Sequence, residues 1–434
     1  MARDKTRDLR KMGRRNFLKT LAGIGVSAGS LRYLSKEALA EVTDKPEDVV
    51  PVLQFMKKPD NEEERRKNKG IEDFAGRIPV YEAVPRDRWM KIEAIHNAAR
   101  KLNNRLSSIS EPSPEVGVTM RTNGHNKERI LEVKHVTYTC DCGEGVIQTP
   151  GVSYDSLTDK IPASVSGTHG KGNYERVVED IPVVVKEVTA ELQNYYTNKY
   201  RPVPGGCKMI GSKMESSYCD ATIGFPAEQG YNQPVWVTAA HNVSVDMPEY
   251  TTCKDEQFYG DDVYQPDESN SGIIGGAQED DLWWFATNHG PDEWGDVAVL
   301  RNIMGNDAEF DMASDSTGQD YMGWELKGTS SVDRLKDKMS SLDITVQGIT
   351  TGRQTGSIYG LDNNDYQIQL SDVDTEGGDS GGPYFELEPD ELGNNEVLAV
   401  GIHSGSNRYS PADTFGSIFK RVENNFGIAV GASW

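Results

Sequence analysis

In the segment Gly377-Gly378-Asp379-Ser380-Gly381-Gly382-Pro383, a serine stands between two glycine pairs. A hydroxyl that is to attack a carbonyl must be exposed on a tight turn. Glycine permits such a turn and lets neighbouring backbone N–H groups face a developing oxyanion. Gly378 and Ser380 are positioned to give those two donors. A plain glycine-rich hairpin is the weaker reading, because glycine flanks Asp-Ser on both sides and a proline follows. A serine hydroxyl is a weak nucleophile until a base takes its proton, and the base needs an acid to fix its tautomer. Thr238-Ala239-Ala240-His241-Asn242 offers the base, an imidazole directly after the apolar run Val235 to Val237. Gly295-Asp296-Val297-Ala298-Val299-Leu300 offers the acid at the head of another apolar run. Asp292 is the nearest substitute for Asp296, but it has no apolar strand behind it. The chemistry these residues can do is acyl transfer through a covalent intermediate, which requires no cofactor.

Chain order narrows the architecture. The serine segment also satisfies the looser G-x-S-x-G pattern of a strand-to-helix elbow, which needs the acid and then the histidine after the serine. Only 54 residues follow Ser380, and the one histidine among them, His403, comes 23 residues later. The order base, acid, nucleophile remains, and the elements around it agree with an all-β setting. From Arg201 onward, short runs rich in Val, Ile, Tyr and Thr are separated by Gly, Asp, Asn and Pro: 235–238, 297–300, 344–349, 366–370, 397–403 and 414–419. Repeated strands without intervening helices predict antiparallel β barrels, closed by a helix over 418–426. Upstream, apolar residues at steps of three and four predict a helix over 87–106 with Asp87 as its cap. Strands are expected at 130–138 and 181–188, and the charged stretch from Glu41 to about Gly70 reads as a flexible linker.

Over residues 201–434 the sequence resembles the chymotrypsin-like superfamily, and within it the streptogrisin-like branch. Several ordered motifs carry the resemblance: Gly205-Gly206 with Ile210, Thr222-Ile223-Gly224-Phe225, the T-A-A-H and D-V-A-V-L segments, Gly348-Ile349-Thr350-Thr351-Gly352 with Gly356-Ser357-Ile358, and the serine segment. It implies a double antiparallel β-barrel with His241, Asp296 and Ser380 as the catalytic triad of a serine endopeptidase, acting on protein or peptide substrates. It also implies that Gly401-Ile402-His403-Ser404-Gly405 pairs with the substrate backbone. Two specificity signals follow from position in the family. Asp374, six residues before the serine, would lie at the base of the pocket and favour Lys or Arg, whereas His403 and Ser406 match relatives specific for glutamate. Departures are visible: Asn242 stands where a cysteine often follows the histidine, and Gln347 where an arginine usually precedes the glycine of the Thr-Thr-Gly hairpin. Cys219 and Cys253 flank His241 and could close a loop if oxidised. The rival function is a protease-like barrel kept as an inactive binding module, but here every catalytic position is filled.

The front of the chain reads as an address. Gly13-Arg14-Arg15-Asn16-Phe17-Leu18-Lys19, an apolar stretch from Leu21 to Leu31 and Ala38-Leu39-Ala40 have the order of a twin-arginine export signal with its cleavage site. The expectation is a secreted, extracellular protein that engages the twin-arginine export machinery. That route carries folded proteins, so residues 41–200 are expected to be an α+β pro-region or accessory domain before the peptidase domain at 201–434. The formal net charge is −22, and residues 201–434 hold 13 basic and 39 acidic side chains. Such acidity repels phosphates and disfavours nucleic-acid binding. Its scatter over many loops matches a salt-adapted, haloarchaeal type of surface, since concentrated salt screens self-repulsion. No run of about 18 apolar residues predicts a membrane span. Five cysteines do not make a disulfide scaffold, and Cys140-x-Cys142 near His135 lacks the further ligands a metal site needs.

Overall fold

The structure is a computed structural model that describes residues 49–57, most of 77–192 and much of 203–430. Segments 1–48, 58–76, 193–202, 212–220, 244–262, 284–294, 314–323, 376–378 and 431–434 are among those outside the described residues. The twin-arginine segment, Asp292, Gly378, Cys142, Cys219 and Cys253 therefore lie outside them.

The N-terminal unit comprises β1 (Val49–Lys57), β2 (Ile78–Pro85), α1 (Arg86–Ser107), β3 (Glu115–Asn123), β4 (Asn126–Cys140), β5 (Gly145–Gln148), α2 (Tyr154–Lys160), β6 (Ser164–His169) and β7 (Arg176–Leu192). The periodicity that predicts a helix over 87–106 is met by α1, whose Ala98, Ala99, Leu102 and Leu106 pack on Val118, Leu131, Val133 and Ile181 of the sheet. Asp87 lies inside the first turn, where its carboxylate bonds Lys91 and Arg176. The linker expected over 41–70 is corrected by β1. Its apolar run Val49-Val50-Pro51-Val52-Leu53 pairs with β2, and its far end at Phe55–Lys57 pairs with a strand of the second barrel.

The first barrel is built from β8 (Val203–Gly205), β9 (Lys208–Gly211), β10 (Ala221–Thr222), β11 (Pro226–Gln229), β12 (Gln233–Thr238), β13 (Val263–Tyr264), β14 (Ile273–Gly275), β15 (Leu282–Trp283), β16 (Val297–Arg301) and β17 (Ala308–Met312). Side chains of a strand alternate between its faces. Val235 and Val237 accordingly face the seam between the barrels, while Trp236 faces the interior of the first with Met209, Ile223 and Leu300.

The second barrel follows with β18 (Glu325–Ser330), α3 (Val332–Lys338), β19 (Asp343–Gly348), β20 (Gly352–Asp362), β21 (Gln367–Ser371), β22 (Pro383–Pro389), β23 (Asn395–Asn407) and β24 (Ser410–Ile418), then α4 (Phe419–Phe426) and β25 (Ile428–Ala429). Strands β19, β20, β21, β24, β23 and β22 pair in that order, and β22 returns to β19, so six antiparallel strands close on themselves. The mostly β fold expected from the sequence is therefore present. A shared apolar layer joins the barrels: Phe225, Val237 and Val299 meet Phe385, Ile402 and Phe419. The N-terminal sheet is continuous with this barrel, because β3 pairs with β20, β1 with β18 and the end of β7 with β23.

Candidate active site

Strand β12 ends at Thr238, and a single 3-10 turn, Ala240–Asn242, lifts His241 out of the sheet. Next to β12, β16 begins directly after Asp296, which is fully buried. Its two carboxylate oxygens take separate partners. Oδ1 accepts the backbone N–H of His241 at 3.1 Å, and Oδ2 lies 2.8 Å from Nδ1 of the ring. The Asp296 backbone N–H is itself anchored on Ser417 Oγ at 3.2 Å. A carboxylate at Nδ1 puts the proton there and leaves Nε2 with a lone pair. That Nε2 has no hydrogen-bond partner.

Ser380 comes to this histidine from the second barrel, on the turn before β22. Its carbonyl accepts the Thr222 N–H at 2.9 Å and the Asn242 side-chain amide at 3.0 Å. Asn242 also bonds Thr238 Oγ1 at 3.1 Å, so the residue after the histidine laces the histidine's turn to that of the serine. This fills the place the resemblance gives to a cysteine. Gly381 has φ +86°, and a Cβ there would lie 2.2 Å from Thr222 O. Only glycine lets the turn press so closely against the first barrel. The Ser380 hydroxyl donates to Ser404 O at 3.3 Å, which places this serine against β23.

Asp379, next to the serine, has its own set of donors. Oδ1 accepts the N–H groups of Thr350 (2.8 Å) and Thr351 (3.3 Å), and Oδ2 accepts the Thr351 hydroxyl at 2.7 Å. The Thr-Thr turn between β19 and β20 thus gives this buried carboxylate three donors. Gln347 bonds elsewhere: its amide reaches Ala313 O at 3.1 Å, and its oxygen accepts Arg353 Nε at 2.6 Å.

Of the candidate specificity residues, Ser404 and Ser406 lie buried on β23, whose Ser404 carbonyl bonds Ser380, and His403 is buried completely. Asp374 lies apart from these residues. The chain turns at Asp372 (φ +63°) as it leaves β21, and the Asp374 side chain ends up exposed; only its N–H is held, by Gln354 Oε1 at 2.8 Å. His403 heads a hydrogen-bond network that no local motif announces. Its Nδ1 lies 2.6 Å from Tyr384 Oη and 3.0 Å from Thr414 Oγ1, and Thr375 Oγ1 donates to Thr414 at 3.4 Å. Tyr384 and Thr414 come from β22 and β24, the strands on either side of β23. Nε2 of His403 is buried without a partner. Burial, and then the charge of nearby His241, push this imidazole down to about 3. Among the described residues no group of three His, Cys, Asp or Glu side chains is arranged to hold a metal.

With that geometry in view, one comparison with known proteins bears on the C-terminal part of the chain. Residues 233–426 match the family model described as Trypsin. The chain carries a trypsin-family domain. That domain's likeness extends to solved structures of low identity. A Nocardiopsis protease (NAPase) is 18% identical with a TM-score of 0.32, over 52% of this chain and 97% of its own. A human pathogenic astrovirus serine protease is 12% identical with a TM-score of 0.25, over 52% and 95%. An M. tuberculosis protease in its active form is 14% identical with a TM-score of 0.24, over 52% and 80%. No curated protein matches the chain. The trypsin-family domain takes in all three catalytic candidates, His241, Asp296 and Ser380.

Proposed function

We propose that the chain is an exported serine endopeptidase in which Ser380 attacks the scissile carbonyl, His241 accepts its proton and Asp296 holds the imidazole. The observation that carries this reading is the two-point grip of Asp296 on His241, which leaves Nε2 unpartnered beside the turn of Ser380, inside a trypsin-family domain. The reading requires the Ser380 hydroxyl to leave Ser404 O and turn to Nε2. His241 then carries the proton to the leaving amine, and water releases the acyl group from Ser380 by the reverse path. The N–H groups of Gly378 and Ser380 are assigned to the oxyanion. A fluorophosphonate in concentrated salt should label Ser380 in the intact chain and leave Ser380→Ala unlabelled. His241→Ala should lower kcat by about 10⁴-fold or more. A chain that stays unlabelled while fully folded would point to the inactive binding module instead.

The same domain favours an acidic residue before the cleaved bond. Tyr384 and Thr414 occupy Nδ1 of His403, so Nε2 is the ring atom left to meet a ligand, and with Asp374 in solvent no described carboxylate competes for that role. Cleavage of a peptide library should concentrate after Glu and Asp, and His403→Val should abolish that preference while Ser380 still labels. Cleavage after Lys or Arg would overturn this assignment. Residues 1–40 are proposed as the twin-arginine signal, and residues 41–200 as a unit that restrains the enzyme during export. A secreted form beginning near Arg201 is the expected product of processing.

A further inference from the structure

We infer that the C-terminal end of β7 lies where an extended substrate would add its strand, so that the unprocessed chain covers its own binding edge. This rests on the peptidase reading above. Extended peptides are commonly recognised by joining an exposed sheet edge, their main chain supplying the hydrogen bonds. Here the edge belongs to β23, because the Ser404 carbonyl accepts the nucleophilic hydroxyl. One side of β23 is taken along this stretch by β24, with Gly405 opposite Phe415 and Ser406 opposite Thr414. On the other side β22 stops at Ile402, opposite Pro383. From Ser406 outward that side is occupied again: Ser406 pairs with Glu191 and Asn407 with Ala190, antiparallel. Between Ile402 and Ser406 lies the interval in which the nucleophile sits. Strand β7 therefore holds the backbone positions next to the reaction centre, in the antiparallel sense that a bound peptide strand would take.

The placement is built in rather than incidental. Over its last ten residues β7 runs parallel to β4, from Val183 opposite Leu131 to Leu192 opposite Cys140. Strand β4 is paired over Asn126 to Lys134 with β3, and β3 is fixed to the far side of the same barrel through Thr119–Gly360, Val118–Leu361 and Gly117–Asp362. The N-terminal sheet thus grips the barrel at two edges, one of them the edge beside Ser380. Ionic contacts reinforce the grip. Arg77 meets Glu423 at 2.7 Å, and Lys336 reaches Asp365 at 2.8 Å and Glu93 on α1 at 3.4 Å.

The test is kinetic, on the full chain. Replacing both paired residues, Ala190→Pro with Glu191→Pro, should raise kcat/KM for a peptide extended by four residues on its acyl side by about tenfold or more, because one of these two N–H groups faces β23 and proline removes it. Fluorophosphonate labelling of Ser380, which needs no strand, should change by less than about twofold. Unchanged peptide hydrolysis with intact labelling overturns the inference and leaves the peptidase reading standing. Absence of labelling in both chains overturns both. A second measurement does not depend on the variant folding. In the unaltered chain, lengthening a substrate from one to four acyl-side residues should change kcat/KM by less than about twofold, and a gain of about tenfold or more would show the edge to be open.

Discussion

The carboxylate of Asp379 shows how much of this site depends on single atoms. It sits against Gly348, where an added Cβ would fall 2.0 Å from Oδ1. Gly348→Ala must therefore push the carboxylate off Thr350 and Thr351 and shift the neighbouring serine turn. A misplacement of about 1 Å near reacting groups costs about 10²-fold, so kcat/KM should fall by about that factor, read against secondary structure by circular dichroism. His403 offers a pH test. Its folded pKa of about 3 lies below the ordinary 6.5, so the protein favours the neutral ring. The associated stability is fully present above about pH 6.5 and is lost as pH falls toward 3. His403→Val should flatten that part of the pH–Tm profile. The catalytic candidates were legible because a nucleophile, a base and an acid each need a recognisable residue type on a recognisable local segment. The exposure of Asp374 was not legible, because a count of positions along a loop does not encode the turn at Asp372. Tyr384 and Thr414 were silent, since contacts between neighbouring strands leave no local pattern in the chain.

At the level of elements, amphipathic periodicity gave α1 almost to its ends, and alternation with turn residues gave β12, β16, β19 and β23. The first strand was missed for the opposite reason. Acidic and basic residues around it dilute a five-residue apolar run, and its stabilising partners on β18 lie some 270 positions downstream. The ionic bond joining the N-terminal unit to the last helix was equally invisible. Arg77 is buried and gives two nitrogens to Glu423, at 2.7 and 3.0 Å, while Lys420 and Thr329 also hold that carboxylate. Although burial opposes ionisation, Arg77 and Lys420 hold Glu423 down at about 2, below the usual 4.5. This contribution is present above about pH 4.5 and is lost as pH falls through 2. Removing one partner of a buried pair costs about 3–5 kcal/mol. With Lys420 retained, Arg77→Met is expected near the lower end of that range by denaturant titration at pH 7, and the loss should shrink below pH 4.

The whole molecule is governed by its charge. Thirty-nine acidic against 13 basic side chains over residues 201–434 repel one another unless screened. Raising KCl from about 0.1 M to several molar shortens the Debye length from about 10 Å to below 3 Å, and the melting temperature should climb with it. A melting temperature that does not move with salt would remove the case for salt adaptation. Composition carries the charge; the continuity of one sheet through the N-terminal unit and the second barrel it could not announce, because pairings such as Gly117 with Asp362 are set by tertiary register. That continuity has a colloidal consequence. Strand β3 takes over beside β20 where β19 ends, covering Gly360 to Asp362. An enzyme stripped of its N-terminal residues would leave that margin bare, together with the borders of β18 and β23. Bare margins recruit other margins, so liberated copies should stick to one another unless the acidic surface keeps them apart, and crowding in brine, where repulsion is weakest, is where clumping would first be seen.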